Sequence, residues 1–206
     1  MAALRRWCLT AALIALAAGL LRAQASPPIE VSGATYAELD DATGVWTLRG
    51  SPVSVRRGEA VIEAEALTYE TRTQLVRAAG GVTYRDAALA VTAPRITAWM
   101  GEGRVLAEGG VTARAPEGTL EAGRVEAFTG REEVVADEGA RLVREDLEGR
   151  APRIVLQRRV ATATFSGGAV LRQGPNETRA ATIIVDLRRR RVTASGAAAI
   201  TLYPDR

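Results

Sequence analysis

Glycines and alanines recur along this chain at a fixed spacing of 29 residues. Stepping from Gly81 by that spacing gives, without a gap, Gly110, Gly139, Gly168 and then Ala197. The same step links an alanine series, Ala64, Ala93, Ala122, Ala151 and Ala180. A fixed period in the range of about 20 to 50 residues is typical of a tandem structural repeat. We therefore expect five equivalent units from about Ala64 onward, preceded by a looser unit around VWTLRGSPVSV.

Within a unit, apolar and polar residues alternate with the period of a β-strand. Polar segments that favour turns interrupt this alternation at equivalent places. They are TRTQ at 71–74, GEG at 101–103, TGRE at 129–132, QRR at 157–159 and RRRR at 188–191. The pattern predicts about three short strands in each 29-residue unit and excludes helix for most of the chain.

Each unit also carries a glycine pair, or its equivalent, between two alternating runs. Gly80 and Gly81 stand inside VRAAGGVTYRD, and Gly109 and Gly110 inside VLAEGGVTARA. Glycine accepts the backbone torsions of a β-bulge or a sharp corner. The pairs are therefore predicted to bend the strands, and the repeat to stack equivalent bends on one another.

A unit of this size cannot bury its own apolar face, so neighbouring units must share one interior. This predicts an elongated all-β body with an apolar interior and an outer face rich in Arg, Glu and Thr. The predicted inward row also includes Leu89, Val192 and Ile200. The candidates that we assign to the apolar interior are Leu67, Tyr69, Val76, Val82, Tyr84, Val91, Ile96, Val105, Val111, Val125, Val134, Ile154, Leu156, Leu171, Ile183 and Val185.

The first 25 residues have the pattern of a secretory leader. Arg5 and Arg6 precede an apolar run of 15 residues, and AQA ending at Ala25 is a small-x-small cleavage signature. The run is shorter than the about 20 residues that span a bilayer, and an uncleaved anchor is the alternative. We expect a signal peptide over 1–25, cleaved after Ala25, and a single domain over 26–206.

Composition excludes several classes of function. The leader carries three of the 27 basic residues, so 24 basic residues remain against 24 acidic ones. A neutral chain lacks the positive field that nucleic-acid binding requires. The chain has no histidine, and its one cysteine, Cys8, lies in the leader, so thiolate and imidazole chemistry is excluded after cleavage. We expect no catalytic residue, no metal site and no cofactor.

The interior candidates are short of bulk, and inward positions such as Ala78, Ala107 and Ala136 are small. Two layers lined in this way either meet as a packed core or leave a lengthwise groove for acyl chains. Burying a methylene contributes about 0.8 kcal/mol, so a chain of about a dozen carbons supplies on the order of 10 kcal/mol before losses of motional freedom. Such binding needs no polar site.

Two blocks of the repeat carry a family resemblance, AEALTYETRTQLVRAAGGVTY at 64–84 and APRITAWMGEGRVLAEGGVTA at 93–113. With the leader, they resemble the periplasmic lipopolysaccharide-transport protein A (LptA) family, also called OstA-like. The resemblance covers about residues 30–203. It implies a folded-over β-jelly roll, open at both ends, whose interior shields acyl chains of lipopolysaccharide or a related glycolipid.

The resemblance also implies partners. Family members join end to end through terminal strands and bridge inner- and outer-membrane transport components. A sister component, LptC-like, shares the fold and keeps its N-terminal helix as an anchor.

Two other interpretations stay open. The first is a structural β-solenoid that assembles end to end through its edge strands without lipid. The second is a carbohydrate-acting enzyme with paired carboxylates among Glu132, Glu133, Asp137 and Glu138. The run LRRRR at 187–191 can also be interpreted in two ways, as a binding site for lipid phosphates or as a solvent-exposed turn.

Overall fold

The computed structural model describes residues 28–116 and 118–203. The leader predicted over 1–25 lies outside these residues. The described chain is almost entirely β-strand, with one short 3₁₀ turn at Met100–Glu102. Its strands are β1 (Ile29–Asp40), β2 (Val45–Arg57), β3 (Ala60–Glu70), β4 (Leu75–Arg85), β5 (Ala90–Trp99), β6 (Arg104–Ala115), β7 (Gly118–Phe128), β8 (Glu133–Arg144), β9 (Leu147–Gln157), β10 (Thr162–Gln173), β11 (Asn176–Asp186), β12 (Arg191–Ser195) and β13 (Ala199–Thr201).

The strands form one open antiparallel sheet in chain order from β1 to β12, and β13 pairs with β11. Each 29-residue unit holds two long strands, as β3 with β4 and β5 with β6 illustrate. The predicted all-β class is confirmed, but the predicted number of about three short strands per unit is wrong. A break in the alternation that suggested a strand end is a bend inside one continuous strand.

The glycine pairs make these bends, as predicted. In β6, Gly109 and Gly110 take φ angles of 91° and 97° and stand opposite the single residue Gly123 of β7. Two residues facing one is a β-bulge, and glycine adopts positive φ without a side-chain clash. The same irregularity recurs at 80–81 in β4, 138–139 in β8 and 167–168 in β10.

The bends fold the sheet into two layers. In β5, Ala93 before the bend and Ile96 after it are both buried, although residues three apart face opposite sides of a flat strand. The inward face therefore changes phase at the bend, and each strand contributes one half to each layer. Layer A contains 60–64, 82–85, 90–93, 111–115, 118–122, 140–144, 147–151, 169–173 and 176–180; layer B contains 66–70, 75–79, 95–99, 104–108, 124–128, 133–137, 153–157, 162–166, 182–186 and 191–195.

The two layers meet in the middle of the molecule. Phe165 of layer B is fully buried, and a Cβ atom built on Gly149 of layer A would collide with its ring. The ring of Phe165 thus fills the space that a side chain at position 149 would otherwise occupy. One continuous cluster of buried residues extends from Ala64 to Val185 and draws on both layers.

A row of turns at 41–44, 71–74, 100–103, 129–132, 158–161 and 187–190 forms the border of layer B. Backbone hydrogen bonds of 2.8–3.0 Å join each turn to the preceding one. The donors are the N–H groups of Thr71, Met100, Thr129, Arg158 and Leu187, and the acceptors are the carbonyls of Gly44, Gln74, Gly103, Glu132 and Ala161. We call this row the turn ladder. Most of the predicted turn segments therefore lie on one border of the sheet.

Candidate functional site

The inward side chains form four rows, two in each layer, that run across the strands. Cross-strand partners keep each row in register from one end of the sheet to the other. In layer B, one row contains Val105 and Val185 and the other contains Ile154 and Ile183. In layer A, one row contains Val82 and Val111 and the other contains Leu120 and Leu171. The result is a continuous apolar interior that extends over the length of the repeat.

The structure places all sixteen interior candidates on this inward side. Fourteen of them are at most 6% exposed, and Tyr69 and Val76 are half-buried. Of the other predicted inward residues, Leu89 is buried and Val192 is half-buried. Ile200 pairs with Thr178 on the inward side but is 60% exposed, because β13 lies at the end of the sheet.

The exposure of the inward side chains rises toward the N-terminal end. Ile154 and Phe165 are 0% exposed, whereas Leu39 and Trp46, which pair across β1 and β2, are 41% and 42% exposed. We define the mouth as the inward-facing set Val31, Leu39, Trp46, Tyr69 and Val76. The interior is thus closed by its own side chains in the middle and open at the mouth.

Two residues of the mouth, Val31 and Leu39, are absent from the sequence prediction. Strand β1 precedes the regular repeat, so the 29-residue register does not reach Val31 or Leu39. The alternation of Ile29 and Val31 and the glycine at 33 are the signals that could have identified this strand. Gly33 has a φ of 71° and lies where the register between β1 and β2 shifts, so even the irregular first unit keeps the bend.

Both ends of the sheet carry exposed apolar side chains. Val31 at one end and Ile200 at the other are 47% and 60% exposed. Strand β1 pairs with β2 alone and β12 with β11 alone among the described residues, so each end presents a free backbone edge. Free edges of this kind can pair with a strand of another chain.

Tyr84 brings a polar group to the wall of the interior. The ring of Tyr84 is buried, and its hydroxyl donates a 2.8 Å hydrogen bond to Asp86 at the border of layer A. Burial, with the hydrogen bond to Asp86, raises the pKa of the Tyr84 phenol. The hydroxyl therefore stays protonated and satisfied at the border, which leaves an apolar ring facing inward.

The borders of the two layers approach each other at a seam. Arg190 lies in the turn ladder of layer B, and its Nη2 is 2.8 Å from Oδ1 of Asp146, in the turn between β8 and β9 of layer A. Its distance to Oε2 of Glu145 is 3.8 Å. The arginine run at 187–191 is thus partly engaged within the protein, because Arg189 also forms an ion pair with Asp186.

Of the acidic residues that suggested an enzyme, Glu133 and Asp137 lie on the outer face of layer B, Glu132 lies in the turn before β8 and Glu138 lies in the bend. Asp137 accepts hydrogen bonds of 3.0 and 3.2 Å from Arg153, and Glu132 is 4.0 Å from Arg158. They follow one strand and its turn, and they do not face each other across a cleft as glycosidase carboxylates do. Within the described residues, no group of three His, Cys, Asp or Glu side chains could hold a metal ion.

The chemical capacity of the interior is apolar contact. Its walls are aliphatic and aromatic, and the charged side chains lie outside in cross-strand pairs such as Arg104 with Glu126 and Arg85 with Glu63. An apolar chain could contact the mouth directly. To reach deeper residues such as Val111, it would have to part the two layers.

In residues 28–116 and 118–203 there is no helix whose length and apolarity would let it cross a membrane. No curated protein sequence matches the chain. Among solved structures, the chain is similar to LptH of Pseudomonas aeruginosa, described as the LptA homologous periplasmic component of the lipopolysaccharide transport device, with 18% identity and a TM-score of 0.27. That match covers 86% of this chain and 96% of LptH.

A family model described as "LptA/(LptD N-terminal domain) LPS transport protein" matches residues 33–191. The match begins within β1 and ends at the start of β12, so it contains nearly the whole folded sheet. It therefore includes both layers and the bends between them. Because it covers well over half of the chain, the chain belongs to the LptA/LptD N-terminal domain family of lipopolysaccharide transport proteins.

Proposed function

We propose that this protein is a periplasmic carrier or bridge that shields the acyl chains of lipopolysaccharide, or of a related glycolipid, in transit to the outer membrane. The observation that carries the proposal is the apolar interior with an open mouth, found in a chain of a lipopolysaccharide transport family. The predicted leader over 1–25 supports export, and cleavage after Ala25 would release the domain over 26–206. No catalytic step is part of this function.

The mouth is the site of first contact in this proposal. Its exposed apolar side chains, Leu39 and Trp46, lie at the start of a row that continues inward through Tyr69 and Val76 to Val105. An acyl chain that slides along a row exchanges contacts with water for contacts with aliphatic side chains at each step. The sixteen interior candidates are therefore proposed as lipid-contacting residues in an opened state.

The proposed route into the middle is a separation of the layers at the seam. The turn ladder fixes the border of layer B with five backbone hydrogen bonds. Among the described residues, one such bond between turns, Gly174 N–H to the Asp146 carbonyl at 3.0 Å, joins the border of layer A. Layer A is therefore the side that we expect to move.

The free edges at β1 and at β12 and β13 support end-to-end assembly, with copies of this chain or with membrane components of the same fold. A second candidate function rests on the same edges, a structural β-solenoid that polymerises without lipid. The two differ in whether the interior ever contacts an acyl chain.

Photocrosslinking separates the two candidates. A photoreactive amino acid is placed at Leu39, at Val111 or at Thr112, the residue after Val111 whose side chain faces outward. We expect lipopolysaccharide to crosslink at Leu39 and at Val111 but not at Thr112, and solvent extraction of the purified protein to release lipid. Equal crosslinking at Val111 and Thr112, or no lipid by either method, would overturn the carrier.

A further inference from the structure

The outer face of layer A carries an arginine-lined cleft that the proposed transport function does not use. Arg150 of β9, Val170 and Arg172 of β10, and Arg179 of β11 line a cavity of about 180 Å³, together with Glu148. All five residues project away from the apolar interior. The cleft is therefore separate from the inward rows described above.

The register of the sheet explains why the cleft forms. Val170 pairs with Arg150 on one side and with Arg179 on the other. Directly paired side chains on one face of a sheet stand about 5 Å apart, so a short valine between two long arginines leaves a gap. Arg172 follows Val170 by two residues on the same face and closes one end of the gap.

Two neighbouring carboxylates on the same face form ion pairs with the three guanidinium groups. Arg150 Nη2 is 2.8 Å from Glu148 Oε1, while Arg172 Nε and Arg179 Nε are 2.8 and 2.6 Å from the two oxygens of Glu177. The side chains of Glu148 and Glu177 are 28% and 20% exposed, whereas those of the three arginines are 58–65% exposed. The guanidinium groups are thus the more exposed part of the cleft, and the carboxylates that pair with them are less exposed.

The charge of the guanidinium groups and their unused donors both favour an anion. An arginine has five N–H donors. Arg150 uses two of them on Glu148, through Nη2 and, at 3.0 Å, through Nε, while Arg172 and Arg179 use one each on Glu177. Guanidinium groups bind phosphate oxygens with paired hydrogen bonds. Three of them around a short apolar floor match a compact group with several oxygen acceptors.

We propose that the cleft of Arg150, Arg172 and Arg179 binds a phosphoryl group on the outer face of layer A. The group could belong to free phosphate or to a phosphorylated headgroup, and both share the chemistry of recognition. The site accounts for the position of Val170, since a longer side chain there would fill the cleft.

The test is a titration of the purified ¹⁵N-labelled protein with inorganic pyrophosphate at constant ionic strength, followed through the arginine Nε–Hε NMR signals. We expect saturable shifts for Arg150, Arg172 and Arg179. Arg172→Gln and Arg179→Gln should each weaken binding at least fivefold. Arg153→Gln is the matched control, because Arg153 is also ion-paired and exposed but lies on layer B, and it should leave affinity within twofold.

A second pair of variants separates a built site from general charge. Val170→Glu keeps every arginine but puts a carboxylate on the floor of the cleft, and it should abolish saturable binding. Thr92→Glu makes the same change of charge on an outward position of β5 in layer A and should not. Shifts that do not saturate, or equal effects of these two variants in proteins with unchanged melting temperatures, would overturn the proposal.

The source of the phosphoryl group is decided with lipopolysaccharide before and after chemical removal of its phosphates. Shifts at the three arginines with the intact lipid alone would identify a headgroup, and shifts with pyrophosphate but not with either lipid would identify free phosphate. This arm rests on the proposed transport function. The pyrophosphate titration does not depend on that function, so the proposed phosphoryl site and the proposed carrier function can be rejected independently of each other.

Discussion

Gly123 of β7 lies against Glu138 of β8, so closely that a Cβ atom built on Gly123 would be 2.6 Å from the Cβ of Glu138. In the other units the first residue of the bulge is glycine and its neighbour is larger. Gly109 faces Pro94 and Gly167 faces Pro152, at 2.9 and 3.1 Å from an added Cβ to the ring. In the unit of β7 and β8 the arrangement is reversed: the bulge residue is Glu138 and the facing residue is Gly123. One residue of the contacting pair is therefore still a glycine.

This reversal predicts a coupled pair of substitutions. Gly123→Ala should destabilise the protein by about 1–2 kcal/mol, because the added methyl group meets Glu138. Glu138→Gly should stabilise it by about 1 kcal/mol, because Glu138 has a φ of 66°. In the double variant the Gly123→Ala penalty should disappear, as measured by urea unfolding. Gly130→Ala is the control, since nothing lies within 4 Å of its added Cβ. Additive effects would contradict the contact.

The closure of the interior by Phe165 gives a second prediction. Phe165→Ala should cost about 3–5 kcal/mol in urea unfolding, because it removes a fully buried ring that spans the two layers. The chain has one other phenylalanine, Phe128, which lies on the outer face with Arg131 stacked 3.8 Å from its ring centroid. Phe128→Ala should cost about 1 kcal/mol. Similar costs for the two variants would show that the layers do not meet at Phe165.

The seam gives a third prediction, which concerns access to the interior. In a Cys8→Ser background, cysteines at 146 and 190 are joined by a short bis-maleimide so that the two borders cannot separate. Crosslinking of lipopolysaccharide from position 111 should then fall at least fivefold, while crosslinking from position 39 in the mouth persists. The same cysteines capped with a single-headed maleimide are the control. Unchanged crosslinking at 111 would mean that lipid reaches the interior without opening the seam.

The ion pair at the seam should itself add little stability. The side chains of Arg190 and Asp146 are 62% and 48% exposed, and exposed pairs contribute about 0–1 kcal/mol. Arg190→Gln is therefore expected to unfold at nearly the same urea concentration as the wild type. Its effect should appear instead as faster crosslinking at position 111.

The pH dependence of stability gives a fourth prediction. Hydrogen bonds from Arg141 and Arg150 lower the pKa of Glu148, and those from Arg172 and Arg179 lower the pKa of Glu177. Since the unfolded chain takes up these protons first, stability is full above the ordinary glutamate pKa of about 4.3 and falls as pH decreases below it.

Thermal melting from pH 3 to 8 checks the prediction. The melting temperature should be nearly constant between about pH 5 and 8, because the chain has no histidine to titrate there. Below that range it should fall, and the fall should be shallower in Glu177→Gln. A midpoint of stability loss near pH 6.5 would contradict this assignment.

The repeat could be predicted from the sequence because its markers are local. The bend needs positive φ at Gly80 and Gly109, so a glycine pair or its equivalent recurs there at intervals of 29 residues. The turns also take positive φ, but at residues such as Gln74 and Glu132, and leave no such trace. The number of strands was harder to predict. Between Ala93 and Ile96 the alternation of inward and outward residues shifts by one position. The sequence shows the same shift whether one strand ends there or a continuous strand bends.

The contacts between the layers could not be predicted from the 29-residue spacing. Asp146 and Arg190 are 44 residues apart, a distance that matches no multiple of the repeat, and their meeting depends on how the two layers cross. The arginine cleft is similar. It joins Arg172 to Arg150 and Arg179 through pairing across β9, β10 and β11, and it also requires a short residue at 170.

The turn ladder has a consequence for the size of the protein. From Gln74 onward, each hydrogen bond of the turn ladder joins residues 26 positions apart, so removing or inserting one whole unit in that part of the chain would keep the same pattern of hydrogen bonds. Each unit adds two strands, or about 9–10 Å of sheet. The length of the sheet can therefore change in steps of one unit while the turn ladder at its border is kept.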